Sequence, residues 1–580
     1  MRRLRGVAAS AGSRVGRAVH LEAVAFASGP ASVPAEAVPH EVERLGRAVR
    51  AASRGLEESQ RALSIDPKVG SIFEVHRILL DAVRPEIEDA IRRGASADHA
   101  TATVLSRYAN RLASIADPMF AERRQDVLDV ERRLLRALAG LAHASPPSSE
   151  GSGDVVLVAE DLTPSEAASL AGGRVAGLVL EHGGVTSHTA IIAKALGIPC
   201  VVGVAGALAA VPPGVDVWVD GTTGSVVVEP DADALVAARE KAAAFAAGEA
   251  SLLAESHLSS ETLDGHVVTL LGNIEFPLEV KAATARGASG VGLYRTEFLY
   301  DPSRPVPDEA EHLAAYREAL ATVRPGRLTI RTFDFGSDKA TPGGKSDEAN
   351  PALGRRSLRW CFVHPDVFRP QLRALLRVAA EGDVRIMLPM VGAPEDVRRV
   401  RALLAETARE LAREGVPHDP SVRVGAMIEI PAAATTADVL AREVDFFSIG
   451  TNDLVQYGLA VDRTNETVAP LFRPSHPGIL RWIRDVVAAA KAAQIPVSMC
   501  GEMGAEATYA VLLLGLGIRE FSLTPSAVPR VRRLVRSLTL PRARSIAARC
   551  LSLRTADEVD AFLHRAISAI SAPPSSFART

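Results

Sequence analysis

The sequence predicts a multidomain α/β protein: a small α/β domain interrupted by a helical bundle, then a (β/α)8 TIM-type barrel. Three observations predict it. The chain has 580 residues, too many for one core and enough for about two to four domains. Its apolar pattern switches from strand-like runs to helical spacing near Pro39, and back to strands near Asp154. From Gly265 onward, eight β-rich runs alternate with helical patterns over roughly 280 residues, the size of a (β/α)8 barrel.

Taken in order, Gly6–Ser10 and Gly16–Leu21 read as strands. Residues 31–143 place apolar side chains three and four apart among many Arg and Glu, as in VLDVERRLL at 127–135, and so form a helical insert. The run ASPPSSEGSG at 144–153 is a linker by composition. Strands resume with DVVLVAE at 154–160, VAGLVLE at 175–181, VDVWVDG at 215–221 and GSVVVEP at 224–230. Residues 1–30 and 144–230 thus form one α/β domain around the insert. Residues 231–260 are Ala-, Glu- and Lys-rich and read as a linker helix. The barrel occupies 261–573, with strands at Val267–Leu271, Gly290–Tyr294, Leu328–Phe333, Val384–Pro389, Val422–Ile428, Phe446–Ile449, Pro496–Met499 and Glu520–Leu523.

Composition narrows the class. Hydrophobic residues make up 47% and charged residues 23%, with a net charge of -3, which argues against a nucleic-acid or membrane-surface partner. No run approaches the apolar length of a membrane span, so no membrane insertion is expected and the location is cytoplasmic. Cys200, Cys361, Cys500 and Cys550 are far apart and lack CxxC spacing, which predicts neither a disulfide framework nor a zinc site.

Two constellations carry chemistry. The first is GGVTSHTAIIAKALGIP at 183–199. Thr186 or Ser187 is suited to cap a short helix that Gly197 and Pro199 close. His188 then sits in the first turn, where unpaired N–H groups and the helix dipole favour an anion. An imidazole there is placed to carry a phosphoryl group.

The second constellation lies at the strand ends, where barrels of this type do their chemistry. In order these are Asn273, Arg295 with Glu297, Arg331 with Asp334, Glu429, Asn452 with Asp453, and Cys500 with Glu502. Guanidinium forks bind carboxylate or phosphate in bidentate fashion. Mg2+ takes one or two carboxylates and completes its shell with water and substrate phosphate. The pair Glu429 and Asp453 fits that need.

The His188 string closely resembles the phosphohistidine motif of the phosphoenolpyruvate-utilising enzymes. The barrel strings resemble Enzyme I of the phosphoenolpyruvate:sugar phosphotransferase system: GLYRTEFL at 292–299, RTFD at 331–334 with Asp338 and Lys339, and NPALGRR at 350–356. So do MIEIPA at 427–432, FSIGTNDLVQY at 447–457, Asp462-Arg463 and SMCGE at 498–502. The resemblance implies that phosphoenolpyruvate phosphorylates His188, and that Arg295, Arg331, Arg356, Asn452 and Arg463 hold the substrate. It implies Mg2+ on Glu429 and Asp453, and Cys500 as proton donor to the enolate carbon. It also implies transfer onward to the histidine-phosphocarrier protein HPr, docked on the helical insert, and a homodimer formed through the barrel. His76, in FEVHRILL of the insert, reads as packing or partner contact.

The chain departs from the family pattern at Val185, Ser337, Arg355 and Gly504–Glu506. Two alternatives follow from the same resemblance. One is a catalytically silent phosphoenolpyruvate-binding regulator, which His188, Glu429, Asp453 and Cys500 argue against. The other is a dikinase-like enzyme lacking its nucleotide domain, and no Gly-rich nucleotide motif is present.

Overall fold

The computed structural model describes residues 1–21, 32–62, 79–80, 83–113, 118–139, 154–162, 170, 174–184, 188–275, 277, 279–300, 306–335, 348, 350–463, 465 and 468–571. His76, Val185, Thr186, Ser187, Ser337, Asp338, Lys339 and the 144–153 linker lie outside them. The chain divides into two compact units, Met1–Glu249 and Ala250–Thr580.

The first unit is built on an eight-stranded sheet. Its strands are β1 (Arg2–Arg5), β2 (Val7–Ser10), β3 (Ser13–His20), β4 (Val155–Ala159), β5 (Val175–Leu180), β6 (Cys200–Val202), β7 (Asp216–Asp220) and β8 (Ser225–Val228). Their order is β1-β8-β7-β3-β4-β5-β6-β2. Only Gly6 separates β1 from β2, yet they pair with β8 and β6 at opposite edges, so the sheet curls until its edges meet at Gly6. The expected strands β2, β3, β4, β5, β7 and β8 are all present; β1 and the short β6 are additions.

Side-chain alternation along β4 and β5 decides what packs where, because successive residues face opposite sides of a strand. Val156, Val158 and Val179 join Val201, Val217 and Val219 in one core. Leu157, Ala159, Leu178 and Leu180 join a second core with Leu45, Val49, Ile87, Leu105 and Leu134. Those last residues belong to the helical insert, whose chain leaves the sheet after β3 and returns at β4. The insert includes helices Val38–Ala62, Ala97–Ala113 and Pro118–Leu138. Its apolar stripe is therefore spent on covering one face of the sheet.

Helix Ala232–Ala254 follows β8. The second unit is a closed barrel of eight parallel strands: β9 (Thr269–Ile274), β10 (Val291–Arg295), β11 (Leu328–Arg331), β12 (Val384–Leu388), β13 (Arg423–Ile428), β14 (Phe446–Ile449), β15 (Val497–Met499) and β16 (Glu520–Leu523). Each pairs with its sequence neighbour, and β16 closes on β9. All eight expected strands are found; β9 begins two positions later than expected and runs to Ile274. Because every strand is parallel, all eight C-terminal ends open at one mouth.

Candidate active site

The barrel mouth gathers five of the predicted residues into one buried cluster. Arg331 ends β11, and Glu429 directly follows β13. Asp453 lies in the first turn of helix Thr451–Leu459 after β14, and Cys500 directly follows β15. Arg356 enters from the segment after β11. All five are at least 94% buried.

Arg331, Asp334, Arg356 and Asp453 form a continuous network of contacts. Arg331 pairs with Glu297, and its Nη1 lies 3.2 Å from Asp334. Arg356 Nη2 donates to both Asp334 oxygens at 3.0 and 3.1 Å. The same guanidinium reaches Asp453 at 3.4 Å through each of its two terminal nitrogens, and Tyr457 Oη at 3.0 Å. Glu429 Oε1 accepts the Met390 N–H at 2.6 Å. Met390 holds a φ of 52°, a left-handed conformation that costs a non-glycine residue about 1–2 kcal/mol. Here it aims an amide at the carboxylate.

Among the described residues, two arginines of the cluster stand against four carboxylates: Glu297, Asp334, Glu429 and Asp453. Burial, followed by the charges of Asp453 and Asp334, raises the Glu429 pKa to about 8 despite the opposing arginines. Burial acts against the charge on Arg331, yet Glu297 and Asp334 raise its pKa above the usual guanidinium value; Asp334 and Asp453 do the same for Arg356. Among the described residues no group of three or more His, Cys, Asp or Glu is placed to hold a metal by itself. Magnesium needs only one or two carboxylates, and the crowded Glu429–Asp453 pair suits it.

Cys500 packs inside the barrel with Leu293, Met387, Met427 and Phe446. Burial raises its thiol pKa to about 11, so it stays protonated near neutrality. Its carbonyl accepts from Asn273 Nδ2 at 3.0 Å, and Asn273 Oδ1 accepts from Ser522. Gly501, next in line, has no room for a Cβ against Thr451.

The other predicted residues sit at the rim. Arg295 Nη1 pairs with Glu275 at 3.0 Å. Asn452 is bound to Glu502 by two hydrogen bonds of 3.0 Å, one from its Nδ2 and one from the Glu502 N–H. Arg463 follows the Asp453 helix, and its backbone N–H points to Gln456 Oε1 at 3.5 Å. Among the described residues no ion pair ties its side chain to the cluster. Two departures from the family pattern are also placed. Arg355 donates its backbone N–H to Glu348. Gly504 lies in the turn Glu502–Ala505, where a Cβ would come within 2.9 Å of Met499.

In the first unit, His188 is the first residue of helix His188–Leu196. Thr189 Oγ1 anchors that turn to the Leu162 carbonyl at 3.0 Å. Gly197, at φ 68°, ends the helix, and the Ile198 N–H returns to Ala193 at 2.9 Å. The histidine thus stands where the helix presents unpaired N–H groups.

Sequence reasoning assigned no role to Tyr457, Ser357 or Met390. Tyr457 is four residues beyond Asp453 on the same helix, a spacing that puts both on one face. Ser357, which donates to Asp334, adjoins Arg356. The Met390 contribution is a backbone amide and leaves no trace in the sequence.

Family models match along most of the chain. They describe a PEP-utilising enzyme N-terminal region over residues 5–123, a mobile domain over 151–224 and a PEP-binding domain over 249–540. The chain belongs to the phosphoenolpyruvate-utilising enzyme family. Within that family, a phosphoenolpyruvate-protein phosphotransferase of Bacillus sp. (strain S) is 39% identical over 573 residues, covering 97% of this chain and 98% of its own. The Bacillus subtilis (strain 168) protein of that name is 37% identical over 569 residues, covering 97% and 99%. One from Cupriavidus necator is 39% identical over 548 residues, covering 91% and 93%. A solution structure of an Enzyme I protein aligns at 30% identity over 42% of this chain and 99% of its own, with a TM-score of 0.36. The family's mobile domain holds His188 here, and its PEP-binding domain holds the whole barrel cluster.

Proposed function

We propose that this chain transfers the phosphoryl group of phosphoenolpyruvate to the imidazole of His188, releases pyruvate, and passes the phosphoryl group to a histidine of HPr. Family membership supports phosphoenolpyruvate-dependent phosphotransfer, and one observation carries the finer reading. A buried cluster of two arginines, an acid-rich pair and a protonated thiol lies at the mouth of the PEP-binding barrel, in a chain that also presents a histidine at a helix start.

Phosphoryl transfer depends on in-line placement and charge neutralisation more than on covalent help. Arg331 and Arg356 supply fixed positive forks for phosphate and carboxylate, with Arg295, Asn452 and Arg463 at the rim. Glu429 and Asp453 would hold Mg2+, which when bound neutralises charge on the phosphate and the forming enolate. The P–O bond of phosphoenolpyruvate breaks as an N–P bond forms on neutral His188. The enolate then takes a proton at its methylene carbon from Cys500 Sγ. His188 lies in the first compact unit and the cluster in the second. We also assign the protein to the cytoplasm as a homodimer formed through the barrel.

The acceptor is tested by loading the protein from labelled phosphoenolpyruvate, removing the substrate and adding purified HPr. Label passing to an HPr histidine supports the reading. Label retained on the chain would overturn the acceptor while leaving the first half-reaction standing.

A further inference from the structure

Behind the cluster runs a second polar network that the reaction itself does not use. Gln371, on helix Pro365–Ala379, is fully buried, as are Thr296, His312, Tyr316 and Phe333. Its Oε1 accepts the Phe333 N–H at 3.1 Å. Its Nε2 donates to Thr296 Oγ1 at 2.9 Å and to Tyr316 Oη at 3.2 Å. Thr296 Oγ1 in turn donates to the Arg331 carbonyl at 2.8 Å. Tyr316 Oη lies 3.2 Å from His312 Nδ1.

The directions at Gln371 and Thr296 are fixed. A backbone N–H can only donate, so the amide oxygen of Gln371 must face Phe333 and its NH2 must face the two hydroxyls. A backbone carbonyl can only accept, so the Thr296 proton points to Arg331 and its lone pair is left for Gln371. Tyr316 and His312 complete the chain, the direction of that contact being set by the ring's tautomer, and burial keeps the imidazole neutral with a pKa of about 4. Gln371 therefore grips the β11 end twice: directly at Phe333, and through Thr296 at Arg331. Beside those grips lie the side chains of Arg331 and Asp334, which pair with each other, and Asp334 also pairs with Arg356.

We infer that Gln371 and Thr296 are positioning residues that set the Arg331–Asp334 segment in the geometry that binds the substrate's anionic groups. The inference rests on the functional reading above. It assigns to the barrel wall a role beyond packing: one side-chain amide registers the strand that carries a substrate-binding arginine.

The test is phosphoenolpyruvate affinity measured by calorimetry on the full-length chain, alongside thermal unfolding. Thr296→Val removes the hydroxyl without changing shape, Thr296→Ser keeps it, and Gln371→Leu removes the hub. Thr407→Val is the control, because it likewise deletes a buried threonine hydroxyl, which donates to the Leu403 carbonyl at 2.7 Å on helix Pro394–Arg413. Thr296→Val is expected to weaken binding about tenfold, with Thr296→Ser restored to wild type and Thr407→Val unchanged in affinity. Should Gln371→Leu fail to fold, the threonine set still decides. Equal affinities for Thr296→Val and Thr407→Val would overturn the inference, reducing the network to packing. A wild-type chain that bound phosphoenolpyruvate without forming pyruvate would sink the turnover reading alone, because the affinity ratios would still test the relay. A wild-type chain that bound none would overturn both.

Discussion

The barrel unit buries its functional side chains in a web of ion pairs, whereas the α/β unit carries its histidine at the first residue of a nine-residue helix. In the barrel, Arg331, Arg356, Asp334 and Asp453 hold one another and lie out of solvent. Burying charge is costly unless it is fully paired, so such a web signals a site kept for chemistry. The helix that starts at His188 is held instead by ordinary means: an apolar face, one threonine hydroxyl and a glycine end. The barrel cluster is thus fixed by mutual ion pairs, whereas the start of the His188 helix is fixed by few contacts.

Substitutions should separate these two designs, and the largest effect falls on the acceptor. His188→Ala is expected to abolish phosphorylation of the chain while leaving phosphoenolpyruvate affinity within about twofold, checked by labelling and calorimetry. Next comes the barrel cluster. Glu429→Ala or Asp453→Ala should lower Mg2+-dependent pyruvate formation by about a thousandfold or more, read in a coupled pyruvate assay. Cys500→Ala should slow pyruvate formation about a hundredfold, because the enolate loses its proton donor.

Smaller effects test how each unit is held. Burial lowers the His312 pKa from 6.5 to about 4. The unfolded chain therefore binds a proton that the folded chain refuses between those values, and stability is lost as pH falls through that window. The contribution present above pH 6.5 shrinks by about 2 kcal/mol on reaching pH 5. Denaturant unfolding at pH 7 and pH 5 should show the barrel transition of His312→Leu losing less stability on acidification than wild type. The smallest change is Gly197→Ala in the α/β unit. Nothing lies within 4 Å of an added Cβ there, so only the positive φ matters, and unfolding should report a loss of about 1 kcal/mol.

The same contrast explains what could be read in the sequence. The barrel strands are short, mainly apolar runs that alternate with helical patterns, so all eight were visible from pattern, as were the strand-end residues Arg331, Glu429, Asp453 and Cys500, whereas Arg356 and Arg463 came only from the family resemblance. The α/β strands were visible for the same reason. Two were not: β6 spans only Cys200–Val202, shorter than any pattern, and β1 is the run RRLR, whose arginines mask an edge strand. Gln371 was overlooked although it stands on an apolar stripe with Phe368, Leu372 and Leu375. A polar residue at a core position is a signal that must be explained by a partner. The Met390 amide had no signal at all, because a left-handed turn at a methionine depends on its surroundings and not on its type.

In the reaction proposed above, phosphoenolpyruvate bound at the barrel mouth phosphorylates His188. Incubating pure protein with labelled phosphoenolpyruvate and Mg2+, then mapping the label by peptide mass, tests it most directly. Acid-labile, base-stable label on His188 with one pyruvate formed per label is the expected result. Label on another residue, or pyruvate formed by a His188→Ala protein at the wild-type rate, would contradict it.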